Sequence, residues 1–79
     1  MPHITVRMYA GRTDEEKSRL AQAIVRAFEE TLGSTPQSLS VGVEDVDPAD
    51  WMARVYEPEI SGKPDQLYKR PGYGPAAEG

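Results

Sequence analysis

The sequence predicts an α+β fold, a β-α-β unit followed by a short helix and turns, with the sheet completed by oligomerisation. Three observations carry this. Residues 3–9 alternate apolar and polar, residues 13–33 hold a full set of helix start, stripe and stop signals, and residues 39–44 alternate again.

In the first segment, Ile4, Val6 and Met8 alternate with Thr5, Arg7 and Tyr9, the period of a half-buried strand. The strand begins almost at the chain start, so Pro2 sits at a strand end beside the core. Gly11 then ends the strand. Thr13 can cap the helix, Glu16 stands at the reciprocal capping-box position, and Asp14 and Glu15 suit the positive helix end. Leu20, Ala23, Ile24, Ala27, Phe28 and Thr31 follow at helical spacing, and Gly33 is placed to close the helix in a left-handed conformation.

A turn around Pro36 leads into the second alternating run. Leu39, Val41 and Val43 face one way and Ser40, Gly42 and Glu44 the other. A helix joining two strands is the usual crossover between parallel neighbours. Asp47-Pro48-Ala49-Asp50-Trp51 reads as a turn entering a short helix on which Met52, Val55 and Tyr56 share a face with Trp51. Pro58, Gly62 and Pro64 interrupt regular structure. Residues 69–73 form a turn with Tyr68 and Tyr73 as anchors, and residues 74–79 are a loose tail.

With 79 residues the chain makes one domain, residues 1–79, with a thin core when alone. It has no cysteine and one histidine, so neither disulfides nor a metal site is expected to staple it. Association into a homo-oligomer is the remaining way to bury more apolar surface. The net charge of −4 argues against nucleic acid. No apolar run is long enough to span a membrane and no signal peptide is visible, so a cytoplasmic protein is expected. Gly-x-Gly-x-x-Gly is absent, so no nucleotide loop is expected.

The residues that could carry chemistry are few. Aminopeptidase removal of Met1 would turn Pro2 into a free secondary amine. An α-amino group has a reference pKa of about 7.7–8.0, and proline's amine is more basic still. An apolar wall or a nearby arginine would lower that value towards neutrality, where a base can take a proton beside a carbonyl. Arg12, between strand and helix, could hold a carboxylate bidentately or remain a solvated loop arginine. Trp51 could line a small apolar pocket or anchor a core. Ser40 and Gly42 could floor a pocket or lie on the solvent face of the sheet. Arg54 is placed for an exposed ion pair, and alternation turns His3 to the face opposite Pro2.

Met1-Pro2-His3-Ile4, Gly11-Arg12-Thr13-Asp14-Glu15-Glu16-Lys17, Trp51 after an Asp-Pro turn and Lys69-Arg70-Pro71-Gly72-Tyr73 occur in this order over residues 2–73. In this the chain resembles the 4-oxalocrotonate tautomerase family, and within it the phenylpyruvate tautomerase-like branch called PptA. The resemblance implies a cofactor-free tautomerase in which Pro2 shuttles a proton between carbon and oxygen of an enol or keto acid. It implies that Arg12 binds the substrate carboxylate, that Trp51 forms a pocket wall, and that the chain assembles as a dimer or hexamer. Family members with a second arginine on the second strand use it to polarise the substrate carbonyl. Ser40 stands there instead and cannot supply a positive charge. A monocarboxylate enol of arylpyruvate type therefore fits better than a dicarboxylate. The longer segment after Trp51 favours the dimer. Two other readings remain: a same-fold haloacrylate hydratase or decarboxylase with a charged proline, and a non-catalytic oligomeric binding protein.

Overall fold

A computed structural model describes residues 1–77. Its backbone forms two compact units, Met1–Val46 and the segment from Asp47 onward, and each is described by itself.

The first unit is the expected β-α-β. Strand β1 spans His3–Tyr9, helix α1 spans Asp14–Leu32, and strand β2 spans Ser40–Val46. The two strands pair in parallel, with His3 opposite Ser40, Val6 opposite Val43 and Tyr9 opposite Val46. Side chains of β1 alternate between half-buried and exposed, as the period of two requires. Ile4, Val6 and Met8 share the half-buried face with Val41 and Val43. The opposite face carries His3, Thr5, Arg7, Ser40, Gly42 and Glu44.

The boundaries of α1 follow from its sequence. Thr13 Oγ1 accepts from the Glu16 N–H at 3.1 Å, and Glu16 Oε1 accepts from the Thr13 N–H at 3.0 Å. This reciprocal box satisfies two donors that the helix itself leaves open. Gly33 closes the helix at φ 70°, a left-handed conformation that costs glycine nothing, and its N–H donates to the Glu29 carbonyl.

The apolar spacing of α1 resolves differently from a single stripe. Leu20, Ile24 and Phe28 are half-buried together with Ala21 and Val25, whereas Ala23, Ala27 and Thr31 are exposed. No residue of α1 is fully buried, and Val46 is the only fully buried hydrophobic residue of this unit. One helix laid on two strands is too narrow to enclose its own apolar surface.

In the second unit, Asp47 accepts from the Ala49 N–H at 2.9 Å and opens a 3₁₀ turn over Pro48–Asp50. The chain then runs through a π-helical segment, Met52–Ser61, that contains Pro58. Pro58 therefore lies inside a wide helix and does not end it. The i→i+5 bonding of this winding brings residues four and five apart to one side. Val55 and Tyr56 are buried, Trp51 is half-buried, and Met52, expected on the same face, is 43% exposed.

Tyr56 organises the rest of the unit. Its hydroxyl donates to the Tyr73 carbonyl at 2.6 Å and accepts from the Ala76 N–H at 2.9 Å. The Tyr56 and Tyr73 rings pack with centroids 5.1 Å apart, tilted by 57°. Gly74 adopts φ 73°, and a Cβ there would lie 2.5 Å from the Tyr56 ring, so both backbone and space demand glycine. These contacts tie down Gly74–Ala77, and Ala76 is buried. This corrects the expected looseness of residues 74–77; residues 78 and 79 lie outside the described residues. Tyr68 is fully exposed and is no anchor, whereas Tyr73 is one.

Candidate active site

The side chains singled out in the sequence fall at two ends of β1. At its start, the Pro2 carbonyl accepts from the Ser40 N–H at 3.3 Å, which ties the two chain segments together. Register pairing sets His3 beside Ser40, with Nδ1 2.6 Å from Ser40 Oγ, and Thr5 Oγ1 lies 3.2 Å from Nε2 of the same ring. Pro2 is half-buried; His3, Thr5 and Ser40 are exposed. Next along this face, Arg7 Nε donates to Glu44 Oε1 at 2.7 Å.

Arg12 lies beyond the other end. Its Nη1 donates to Glu16 Oε2 at 3.3 Å, and the side chain is 63% exposed. Together with Met8, Glu16, Lys17 and Leu20 it lines a cavity of about 250 Å3 at the helix start. The Glu16 carboxyl is held below the ordinary carboxylate range, first by the Thr13 backbone N–H and then by Arg12. The Lys17 ammonium donates to Asp45 Oδ2 at 2.8 Å, and this bond raises its pKa above the ordinary lysine value. The cavity thus holds a cation paired with a carboxylate.

The separation of the two ends is decisive for what one chain can do. Six residue steps from His3 to Tyr9, at about 3.3 Å each, separate them by about 20 Å. Pro2 and Arg12 of one chain are thus too far apart to contact one small molecule together. The fold therefore brings Pro2 and Ser40 together and keeps Arg12 apart from both. Trp51 belongs to the second unit, where its Nε1–H donates to the Tyr73 hydroxyl at 2.8 Å. Arg54 is exposed, and Arg70 Nη1 donates to the Ala76 carbonyl at 3.5 Å.

No set of three or more histidine, cysteine or carboxylate groups placed to hold a metal occurs among the described residues. None of the described helices is long and apolar enough to cross a membrane.

The profile of the family described as "Tautomerase enzyme" matches residues 2–56, from Pro2 through Arg12, Ser40 and Trp51. The chain belongs to the tautomerase family. Among similar tautomerases, a "Probable tautomerase" of Xylella fastidiosa (strain 9a5c) is 43% identical over 77 residues, covering 98% of this chain and 94% of the relative. "Tautomerase PptA" of Enterobacter sp. (strain 638) is 36% identical over 74 residues, covering 92% of this chain and 97% of that one. The crystal structure of TomN, a 4-oxalocrotonate tautomerase homologue of the tomaymycin biosynthetic pathway, superposes with a TM-score of 0.61. It is 36% identical, over 63% of this chain and 77% of TomN. The likeness extends to the parallel β-α-β unit, so this tautomerase shares the family fold as well as its sequence pattern.

His3 also belongs to this end of β1. Alternation predicts only that it faces away from Pro2; the register sets it against Ser40, and the two side chains meet at 2.6 Å. The ladder pairs His3 with Ser40 and Thr5 with Gly42, so every second residue of each strand, counted from His3 and from Ser40, shares one face.

Proposed function

We propose that the processed chain is a cofactor-free keto-enol tautomerase with Pro2 as general base, acting on a small monocarboxylate enol of arylpyruvate type. The observation that carries this reading is the start of β1, where a half-buried proline is fixed beside the Ser40 backbone in a chain of the tautomerase family. While Met1 is attached, the Pro2 nitrogen is an amide without basicity; its removal makes the amine. Pro2 then takes the proton from the enol hydroxyl. The electron pair of that O–H bond forms the carbonyl, and the proton returns from Pro2 to carbon. Substrate and product are isomers, and the base is regenerated.

Arg12 pairs with the substrate carboxylate in exchange for Glu16, and the Ser40 hydroxyl contacts the reacting oxygen. Because one chain holds Pro2 and Arg12 about 20 Å apart, each site takes Arg12 from another copy. This agrees with a β-α-β unit whose helix has no buried residue. The assembly is a cytoplasmic homo-oligomer, a dimer in preference to a hexamer. The chain is one tautomerase-like domain, with Trp51 as a substrate-binding residue. With Lys17 engaged by Asp45, the Arg12 guanidinium and the uncharged Ser40 suit one carboxylate on the substrate and leave a second one unpaired.

The reading is tested by following ketonisation of phenylenolpyruvate by absorbance with protein whose intact mass shows that Met1 is gone. The processed chain accelerates the reaction and Pro2→Ala does not. Unchanged activity in Pro2→Ala would overturn the mechanism. A Pro2 amine found charged at neutral pH by NMR would favour hydration or decarboxylation instead.

A further inference from the structure

We propose that His3 is a positioning residue that sets the direction of the Ser40 hydroxyl proton. The inference rests on the tautomerase reading, in which Ser40 contacts the reacting oxygen.

The imidazole of His3 sits between two hydroxyls, Ser40 Oγ at 2.6 Å from Nδ1 and Thr5 Oγ1 at 3.2 Å from Nε2. Opposite Thr5 stands Gly42, which offers no side chain, so β2 presents only Ser40 to the ring. The nearest charged groups on this face, Arg7 and Glu44, are engaged with each other at 2.7 Å.

A neutral imidazole has one donor and one acceptor nitrogen, while each hydroxyl can donate or accept. Two arrangements follow. In the first, Ser40 donates to Nδ1 and Nε2–H donates to Thr5; the Ser40 oxygen then turns only lone pairs outward. In the second, Thr5 donates to Nε2 and Nδ1–H donates to Ser40; the Ser40 proton is then free. The oxygen of an enol acid that gains negative charge as its proton leaves is an acceptor. Only the second arrangement can hydrogen-bond to it. Donation from Nδ1 also polarises the Ser40 O–H, which strengthens the bond to substrate. The relay Thr5→His3→Ser40 therefore gives an uncharged serine a directed donor at a position where it could not supply charge.

The test is a double-variant cycle on phenylenolpyruvate ketonisation with the full, Met1-processed chain. His3→Leu lowers kcat/KM by about five- to tenfold, the scale of one hydrogen bond. In a Ser40→Ala background the same change has no further effect, because His3 acts through Ser40. His3→Asn, whose amide N–H can stand in for Nδ1–H, restores most of the loss. Thr5→Val lowers kcat/KM in the parent but not in Ser40→Ala, Thr5→Ser recovers it, and this pair decides the matter if His3→Leu does not fold. His3→Leu equal to the parent, or losses that multiply in the double variants, overturns the proposal. Pro2→Ala run alongside separates the two failures. Full activity there sinks the base assignment, whereas an inactive Pro2→Ala with multiplying His3 and Ser40 losses sinks the positioning role alone. Since His3 is the only histidine, its ring nitrogens are assigned directly by NMR. A ring protonated only at Nε2 in the substrate-analogue complex also overturns it.

Discussion

The two ends of β1 are built from opposite materials. At the Pro2 end a ring, two hydroxyls and a backbone carbonyl are linked with no carboxylate among the partners. At the Arg12 end a guanidinium, a carboxylate and an ammonium surround a small cavity with Met8 and Leu20. The first set suits a proton on the move, because a neutral amine must not be stabilised as a cation by a nearby carboxylate. The second suits an anion held still. If Pro2 is the base, a carboxylate such as Glu16 kept far from it within the chain leaves its cation without a stabilising partner, and a site that uses both Pro2 and Arg12 needs a second copy.

The sharpest way to break this comparison is to mix two dead proteins. Pro2→Ala alone loses about 10²–10⁴-fold in kcat, the usual weight of a positioned base. Arg12→Ala alone loses about 10–100-fold in kcat/KM, the scale of a charge-assisted pair. If the two ends meet across copies, unfolding and refolding the variants together returns activity, because some assemblies pair an intact Pro2 with an intact Arg12. Activity no higher than the sum of the separate variants would show that both groups act within one chain.

A smaller effect separates the ends by type of interaction. Ser40→Ala lowers kcat/KM by about fivefold, as loss of one neutral hydrogen bond should. That loss is independent of salt. The contribution of Arg12 is exposed and charged, so KM of the parent rises with ionic strength. In Arg12→Ala this salt dependence disappears. Equal salt dependence in the parent and in Arg12→Ala would remove the distinction between the ends.

Much of this contrast could be read from the sequence. Thr13, Glu16 and Gly33 fixed α1 because capping is a local matter of side chain and neighbouring backbone. The alternation of Ile4, Val6 and Met8 fixed the faces of β1 for the same reason. Pro2, Arg12, Ser40 and Trp51 stand out in the sequence as residue types with suitable chemistry, and the structure adds where each lies. That Pro2 and Arg12 lie at opposite ends was implicit in the order strand-helix, but it is a statement of length and not of motif. The winding after Trp51 was not legible. A π-helix differs from an α-helix by one residue per turn, and nothing in Met52–Ser61 declares that the ladder will widen enough to contain Pro58. The anchoring of Gly74–Ala77 was equally hidden, since it depends on a single hydroxyl, that of Tyr56, reached across many residues.

Glu16 has two duties at the Arg12 end, and one substitution separates them. Its Oε1 completes the capping box and its Oε2 faces Arg12. Glu16→Gln keeps a group able to accept from the Thr13 N–H, so the helix start survives. It removes the charge that competes with a substrate carboxylate, so KM for phenylenolpyruvate falls a few-fold while kcat stays within a factor of two, the scale of an exposed ion pair. A rise in KM would mean that Glu16 positions Arg12 rather than competing with it.

The smallest effects are on stability, and they too belong to the charged end. Glu16 is held below the ordinary carboxylate range, by the Thr13 N–H before Arg12. Its folded pKa is depressed, so its contribution is present above the unfolded carboxylate pKa and is lost as pH falls through the folded value. Lys17 is raised by its bond to Asp45, so its contribution is present below the unfolded lysine pKa and is lost as pH rises through the folded value. Thermal unfolding followed against pH should show Glu16→Gln losing part of the acid-side slope and Lys17→Met part of the alkaline-side slope, each leaving the other limb as in the parent. Both groups lie at the solvent-facing start of α1, so the changes in Tm are small and shrink with added salt. His3→Leu, at the uncharged end, leaves both limbs in place. A loss of either limb in that variant would mean that the two ends share charge along β1, and the division between a neutral end for the proton and a charged end for the anion would have to be given up.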